Sequence, residues 1–414
     1  MPSTRSANRT SEPTSRESTG AGREKAESGR EENAVIITEE QAALVASVRA
    51  YCDATTATVA QRDDLTDGGT ESTSTATIRD MAERGWLGIS LPEEYGGLGG
   101  TFFDETLFLE ESSRGLAPIN AYSTGLTAAQ TYLKWGTDEQ RTTVCTNLAE
   151  GRLEAISLSE PGTGSDLGAV TCRGERDGDD YVINGQKTWC TAAHLAENLL
   201  VLVREETRES KHEGLTLLMV PTSTPGVEIR GIELMEPRTV NEIFFTDARV
   251  PSAAVVGEPG QGWKQLMRGL SVERLIIAAM SLGAAQRSLD DTVAYVRERR
   301  AFGQPLASFQ ALRHRLADLH TEISFARSFV YEIAQAIDQG EEDSLGPHSS
   351  MAKLKCTEIA KQAALEGVQM LGGNGYTREY GMEGQLRTAM APPIYGGANE
   401  IQRDIIAKSL LGKP

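Results

Sequence analysis

Basic residues are in short supply. Only 41 Lys and Arg stand against 59 Asp and Glu in 414 residues, a net charge of −18. An acidic surface of that size repels phosphate backbones and anionic lipid, which sets aside nucleic-acid and membrane-surface binding. A phosphate-bearing ligand would need its own basic pocket. Long apolar runs are also missing, and without about 18 consecutive apolar residues no membrane span is expected. Cysteine is sparse: Cys52, Cys145, Cys172, Cys190 and Cys356 are odd in number, scattered, and form neither a C-x-x-C pair nor a His/Cys cluster. They read as reduced thiols of a cytoplasmic protein without a metal site. The five histidines (His194, His212, His314, His320, His348) join no motif with Ser, Cys or Asp. A hydrolase triad is therefore unsupported, and they read as surface or packing residues. The strand, G-x-G-x-x-G, helix fingerprint is absent too, because Gly372-Gly373-Asn374-Gly375 follows a helical stretch and Gly257 to Gly262 has the wrong spacing.

The length suits two or three folded units. Residues 1–33 carry six basic and six acidic side chains among Ser, Thr and Gly. Without aliphatic anchors this stretch is expected to be a disordered tail, and its acids fit neither a transit nor a signal peptide. Thr38-Glu39-Glu40-Gln41 opens helical sequence with a capping box, and Thr137 with Gln140 repeats the signal. Residues 155–251 change to short β-rich runs at 199–203, 215–220, 227–232 and 242–245. Long helical patterns return at 263–298, 309–338, 348–370 and 399–411. The expected order is a tail (1–33), a helical domain (34–154), a β domain (155–258) and a second helical domain (259–414), an α+β class.

Residues 155–191 combine a Gly-rich turn crowded with small donors (Ser159, Gly162, Thr163, Gly164, Ser165, Asp166), an expected hairpin turn at Asn184-Gly185, and Trp189 and Thr191. Bare backbone beside an indole suits a flat polar ring system. The same features also occur in an ordinary surface loop followed by a hairpin.

The whole string closely resembles the flavin-binding segment of the acyl-CoA dehydrogenases, T/S-E-P-G-x-G-S-D followed by N-G-x-K-x-W-x-T. Leu91-Pro92-Glu93-Glu94-Tyr95-Gly96-Gly97-Leu98-Gly99 is similar to the family's L-P-E-x-Y-G-G-x-G, Arg299 to Gly303 to its R-x-x-F-G, and Gln369 to Gly373 to its Q-x-x-G-G. The likeness spans residues 38–414. It implies an N-terminal helical domain, a β-barrel-like middle domain and a C-terminal four-helix bundle. It also implies FAD contacts at Ile156, Leu158, Ser159, Gly164, Trp189, Thr191, Arg299, Phe302, Gln310, Gln369, Gly372, Gly373, Ala398 and Glu400. Arg299 would reach the pyrophosphate and Gln369 with its glycines the adenosine end, both across a subunit contact. A homotetramer or dimer follows from that sharing. Taken alone, Arg299 is a solvated cation at a helix end.

Dehydrogenating an acyl thioester requires a carboxylate to take the α-proton while hydride leaves the β-carbon for the flavin. The commonest family pattern places that Glu in I-Y-E-G-T, but this chain has Ile394-Tyr395-Gly396-Gly397-Ala398. The long-chain and isovaleryl-CoA enzymes carry it instead in an E-R-L string, which Glu273-Arg274-Leu275 resembles. The resemblance thus implies Glu273 as base and Ser165, Arg274 and Gly397 as substrate contacts. As an isolated dipeptide, Glu273-Arg274 is a charged pair on a helix face. The implied activity is FAD-dependent α,β-dehydrogenation of an acyl-CoA or acyl-carrier-protein thioester, with electrons passing to an electron-transfer flavoprotein or other acceptor. A flavin-binding subunit without catalysis and a flavin monooxygenase on the same fold are the alternatives.

Overall fold

A computed structural model describes residues 37–206, 210–341 and 344–412; the tail expected at 1–33 lies outside the described residues. Four N-terminal helices start at a threonine whose hydroxyl accepts the N3 amide while the N3 side chain returns a bond to the cap. Thr38/Gln41 opens α1 (Glu39–Thr55), Thr58/Gln61 opens α2 (Val59–Leu65), Thr101/Asp104 opens α4 (Phe102–Arg114) and Thr137/Gln140 opens α6 (Asp138–Ala149). Each such cap stabilises its helix by about 1 kcal/mol. Between them lie α3 (Thr75–Glu83), capped by Ser74, and α5 (Asn120–Trp135).

Seven strands follow: β1 (Leu153–Ser157), β2 (Arg173–Asp177), β3 (Asp180–Thr191), β4 (Ala196–Arg204), β5 (Leu215–Pro221), β6 (Val227–Gly231) and β7 (Val240–Pro251). They form one mixed sheet in the order β1-β4-β2-β3-β7-β6, with β5 antiparallel to β4. Alternating side chains of the strands (Tyr181, Ile183, Leu199, Val201, Val203, Ile243, Phe245, Val250) share one core.

The expected hairpin turn at Asn184-Gly185 is not there. The chain reverses one turn earlier, at Gly178-Asp179 between β2 and β3, where Asp177 pairs with Asp180. Asn184 and Gly185 lie inside β3 opposite a bulge in β7, where the register moves from Ile183↔Ala248 to Gly185↔Phe245. Asp247 in that bulge has φ +49°, and its amide donates to Asn184 Oδ1 at 2.9 Å. Gly185 has φ +144°, and a Cβ there would come within 2.9 Å of the Cys172 backbone. The dipeptide therefore serves a bulge and a close approach instead of a reversal.

The third part begins with α7 (Gly262–Glu298), followed by a small hairpin of β8 (Arg300–Ala301) and β9 (Gln304–Pro305). After it come α8 (Gln310–Asp338), α9 (Gly346–Leu371), α10 (Met382–Ala389) and α11 (Asn399–Leu411). α7 packs on α4, α8 and α9, and α9 also receives α10 and α11. Acidic α4 is bound into this assembly by cations and a cap from far along the chain. Glu110 accepts from Arg327 Nε (2.8 Å) and the Tyr331 hydroxyl (2.8 Å) of α8. Asp338, the last residue of α8, accepts from the first two amides of α4, Phe102 (2.7 Å) and Phe103 (3.0 Å).

Candidate active site

The Gly-rich loop is held from below by a buried ion pair that its own motif supplies. Lys187 of β3 is fully buried and donates to Glu160 Oε1 at 2.8 Å and to Leu158 O at 2.9 Å. Glu160 also accepts the amides of Thr171 and Cys172, each at 2.8 Å. Burial works against the charge on Glu160, but Lys187 and these amides outweigh it and hold the pKa below the ordinary carboxylate value. Thr188 N to Ser159 O (2.9 Å) completes the seam between loop and strand. Ile156, Leu158 and Ser159 are thereby fixed half-buried at its edge, while Gly164 and Ser165 stand exposed at its tip. A Cβ on Gly162 or Gly164 would meet no protein atom within 4 Å, so bare backbone faces open space. Trp189 is a bulged β3 residue with φ +60° and is 57% exposed. A large side chain held in a left-handed conformation and turned outward is a strained arrangement of the kind found at ligand sites. Thr191 follows, and Ala192 N donates to Thr239 O (2.8 Å) of the β6–β7 loop. His194 supports this corner by bonding Glu71 through Nε2 (3.1 Å) and Asn241 through Nδ1 (3.1 Å); it is a packing residue.

A second group lies on α7 and the segment before α11. Protein surrounds Glu273, although the residue keeps partial solvent contact. Burial raises its pKa, opposed by the charges of Arg274 and Lys353. Its Oε1 lies 3.7 Å from the point where a Cβ on Gly396 would sit. The two carboxylate positions of the family patterns thus converge on one spot, and here a carboxylate stands at one and a glycine with φ +62° at the other. Arg274 is 9% exposed, and its Nε has no hydrogen-bond partner. Burial also raises the pKa of the Tyr395 hydroxyl, which faces both Glu273 and Glu236 of the β6–β7 loop. That loop therefore runs from beside Thr191 to beside Tyr395. Ala398 precedes α11, which starts with no side-chain cap, and Glu400 and Gly397 are exposed beside it.

Arg299, Phe302, Gln310, Gln369, Gly372 and Gly373 form a third group at one end of the helices, all exposed. Asn374 Nδ2 donates to Tyr295 Oη at 3.0 Å, tying the end of α9 to the end of α7. Phe302 and Gly303 make the turn of the β8–β9 hairpin at φ +51° and +82°. Phe302 is 94% exposed. Two residues with a chemical setting that no motif marked are Lys353 and Glu236. A cleft between α7 and α8, lined by Leu289, Arg297, Leu316 and His320, holds none of these site residues.

Sequence models of the acyl-CoA dehydrogenase N-terminal, middle and C-terminal domains match residues 38–152, 155–248 and 260–411. The chain belongs to the acyl-CoA dehydrogenase family. It is accordingly an oxidoreductase of an FAD-dependent family, with the family's helical, sheet and helical layout. A probable acyl-CoA dehydrogenase of Bacillus subtilis is 40% identical over 81% of this chain and 89% of its own length. A 3-(aryl)acrylate reductase of Clostridium sporogenes is 34% identical over the same shares. The crystal structure of an acyl-CoA dehydrogenase from Geobacillus kaustophilus superposes with a TM-score of 0.84 at 32% identity, covering 91% of this chain and all of that one. No helix among the described residues is long and apolar enough to cross a membrane.

Proposed function

We propose that this acyl-CoA dehydrogenase removes the α-proton of an acyl thioester with Glu273 and yields the 2-enoyl thioester. The observation that carries the reading is the Glu273 carboxylate, enclosed by protein with partial solvent contact and 3.7 Å from the Cβ position of Gly396. Burial makes it a stronger base than an exposed glutamate, which suits abstraction of a weakly acidic C–H proton. Arg274, buried with an unpartnered Nε, finds its acceptor on the substrate. Ser165 and Gly397 are exposed, and in this reading Ser165 would meet the thioester-carrying arm and Gly397 the acyl group.

The residues fit FAD. Open backbone at Gly162 and Gly164, the strained outward Trp189, and Ile156, Leu158, Ser159 and Thr191 would hold its ring system, while the α11 start at Ala398 and Glu400 would meet the nucleotide. Bound FAD supplies the hydride acceptor. Arg299, Phe302, Gln310, Gln369, Gly372 and Gly373 would complete such a site from a neighbouring copy. An aromatic ring 94% exposed on a left-handed turn residue is suited to being covered in that way. The assembly is then a homotetramer or dimer. All five cysteines are free and buried, which suits the cytoplasm. The electrons leave to an electron-transfer flavoprotein or other acceptor, and the thioester is carried by CoA or a carrier protein.

The test is anaerobic mixing with a panel of acyl-CoA and acyl-carrier-protein thioesters, followed at the flavin absorbance band. Glu273→Gln keeps shape and polarity but accepts no proton, so bleaching should slow by at least about 10²-fold with FAD still bound. Undiminished bleaching removes Glu273 as base. A wild type that holds FAD yet bleaches with no thioester would instead mark a subunit without catalysis.

A further inference from the structure

Beneath the Gly396-Gly397 turn lies a lysine that no motif announces. Lys353 projects from α9 and is fully buried. Its Nζ donates to Gly397 O at 3.0 Å and to Asn399 Oδ1 at 3.0 Å. Asn399 is itself held by a bond from Nδ2 to Thr357 Oγ1 at 3.1 Å, one turn along α9. The turn clamped in this way is the one whose first glycine faces the Glu273 carboxylate. A buried ammonium is costly, and a neutral side chain could fill the same volume. Here the ammonium is satisfied by the turn that faces Glu273, which puts its charge within reach of that carboxylate.

We propose that Lys353 is a positioning residue for the reaction assigned to Glu273: it fixes the Gly396-Gly397 turn opposite the carboxylate and places a positive charge that favours the ionised base. This inference rests on the reading of Glu273 as the base. Burial, with the charge of Arg274, drives the Lys353 pKa down to about 8, against which Glu273 and, more weakly, Glu400 act; below that the side chain is a cation. The other groups facing Glu273 are Arg274 on its own helix and the Tyr395 hydroxyl from the turn, with Glu236 beyond it. Burial lowers the Arg274 pKa, but its guanidinium stays charged and acts on Glu273 more strongly than Lys353 does, while the Tyr395 hydroxyl stays protonated beside the two carboxylates. The charge of Lys353 comes from a different element, α9, and lowers the proton affinity of Glu273. That effect sets where the base becomes active without touching the substrate.

The experiment uses FAD-loaded enzyme and reads the pH profile of anaerobic flavin reduction in wild type, Lys353→Met, Lys353→Gln and Lys353→Arg. Loss of the cation should move the acid limb to higher pH, so that well below the limb the rate falls at least about threefold while more is retained on the alkaline side. Lys353→Arg keeps the charge and should return the limb toward its wild-type position. Lys353→Gln gives the same reading if Lys353→Met does not fold. An equal rate loss at every pH, with the limb unmoved in both neutral variants, would reduce Lys353 to a structural clamp and overturn the proposal. The infrared band of protonated Glu273, identified by its disappearance in Glu273→Gln, gives a titration independent of turnover. If Glu273→Gln still bleaches flavin, the assignment of the base has failed, and this band then decides the effect of the lysine charge by itself. An unmoved band would overturn it.

Discussion

The convergence of two positions on one spot can be tested by moving the carboxylate across it. The perturbation is Gly396→Glu in a Glu273→Gln background. A Cβ at residue 396 would lie 2.2 Å from Ile277 Cδ1, and φ there is +62°. The left-handed backbone costs a non-glycine residue about 1–2 kcal/mol, and an overpacked contact adds about 1–3 kcal/mol. Ile277→Val removes the clashing Cδ1 and leaves mainly the backbone term, since the new side chain occupies the space released. The triple variant should therefore fold with a modest loss, about 1–3 kcal/mol by urea denaturation. Its flavin bleaching should recover at least about tenfold over Glu273→Gln, a fraction of the 10²-fold or more that a positioned base contributes. Thermal denaturation and the flavin spectrum establish that the variant is folded and loaded. A folded, yellow triple variant that bleaches no faster than Glu273→Gln would show that the two positions do not address the same carbon.

Three further outcomes are expected. Lys187→Met strands the buried Glu160 carboxylate, so stability should fall by about 3–5 kcal/mol and FAD titration should show weaker binding; a loss below about 1 kcal/mol would mean the pair does not anchor the loop. Burial raises the Glu154 pKa from 4.5 to about 7, so its penalty is absent below about 4.5, grows with pH and is complete above 7. Glu154→Gln, whose amide oxygen can still accept from Asn147 (2.7 Å) and Asn198 (3.0 Å), should raise the thermal midpoint at pH 8 but not at pH 4.5; a pH-independent effect would refute that origin. Arg299→Ala should lower FAD occupancy and weaken the oligomer together, read by absorbance and light scattering, and loss of neither would leave Arg299 a solvated helix-end cation.

Much of the architecture was legible because its signals are local. Thr38 and Thr137 announce their helices through a hydroxyl and an amide three residues apart, and α11 runs over the expected 399–411. Asn184-Gly185 misled because a dipeptide tolerant of unusual backbone angles serves a hairpin turn and a bulge equally well; only the partner strand distinguishes them. α10 starts from Gly381 without a capping side chain and so had no signal to read. Glu273 was reached through the glycine at the alternative position. Lys353 was not, because nothing local separates it from Lys355 two residues on, which lies at the surface and pairs with Glu322 at 2.6 Å. Burial of one and exposure of the other is decided by which face of α9 meets α7 and α11, a tertiary fact.

The cap that Asp338 places on α4 also sets an order of events during synthesis. The amides it receives, Phe102 and Phe103, leave the ribosome 236 and 235 residues before it. At about 5–20 residues per second that interval is roughly 10–50 s. For that time Phe103 lacks the Tyr331 ring of α8 that packs edge-on against it at 5.1 Å, and Glu110 lacks Arg327 and Tyr331. The cap on α4 is therefore completed only after α8 has been made.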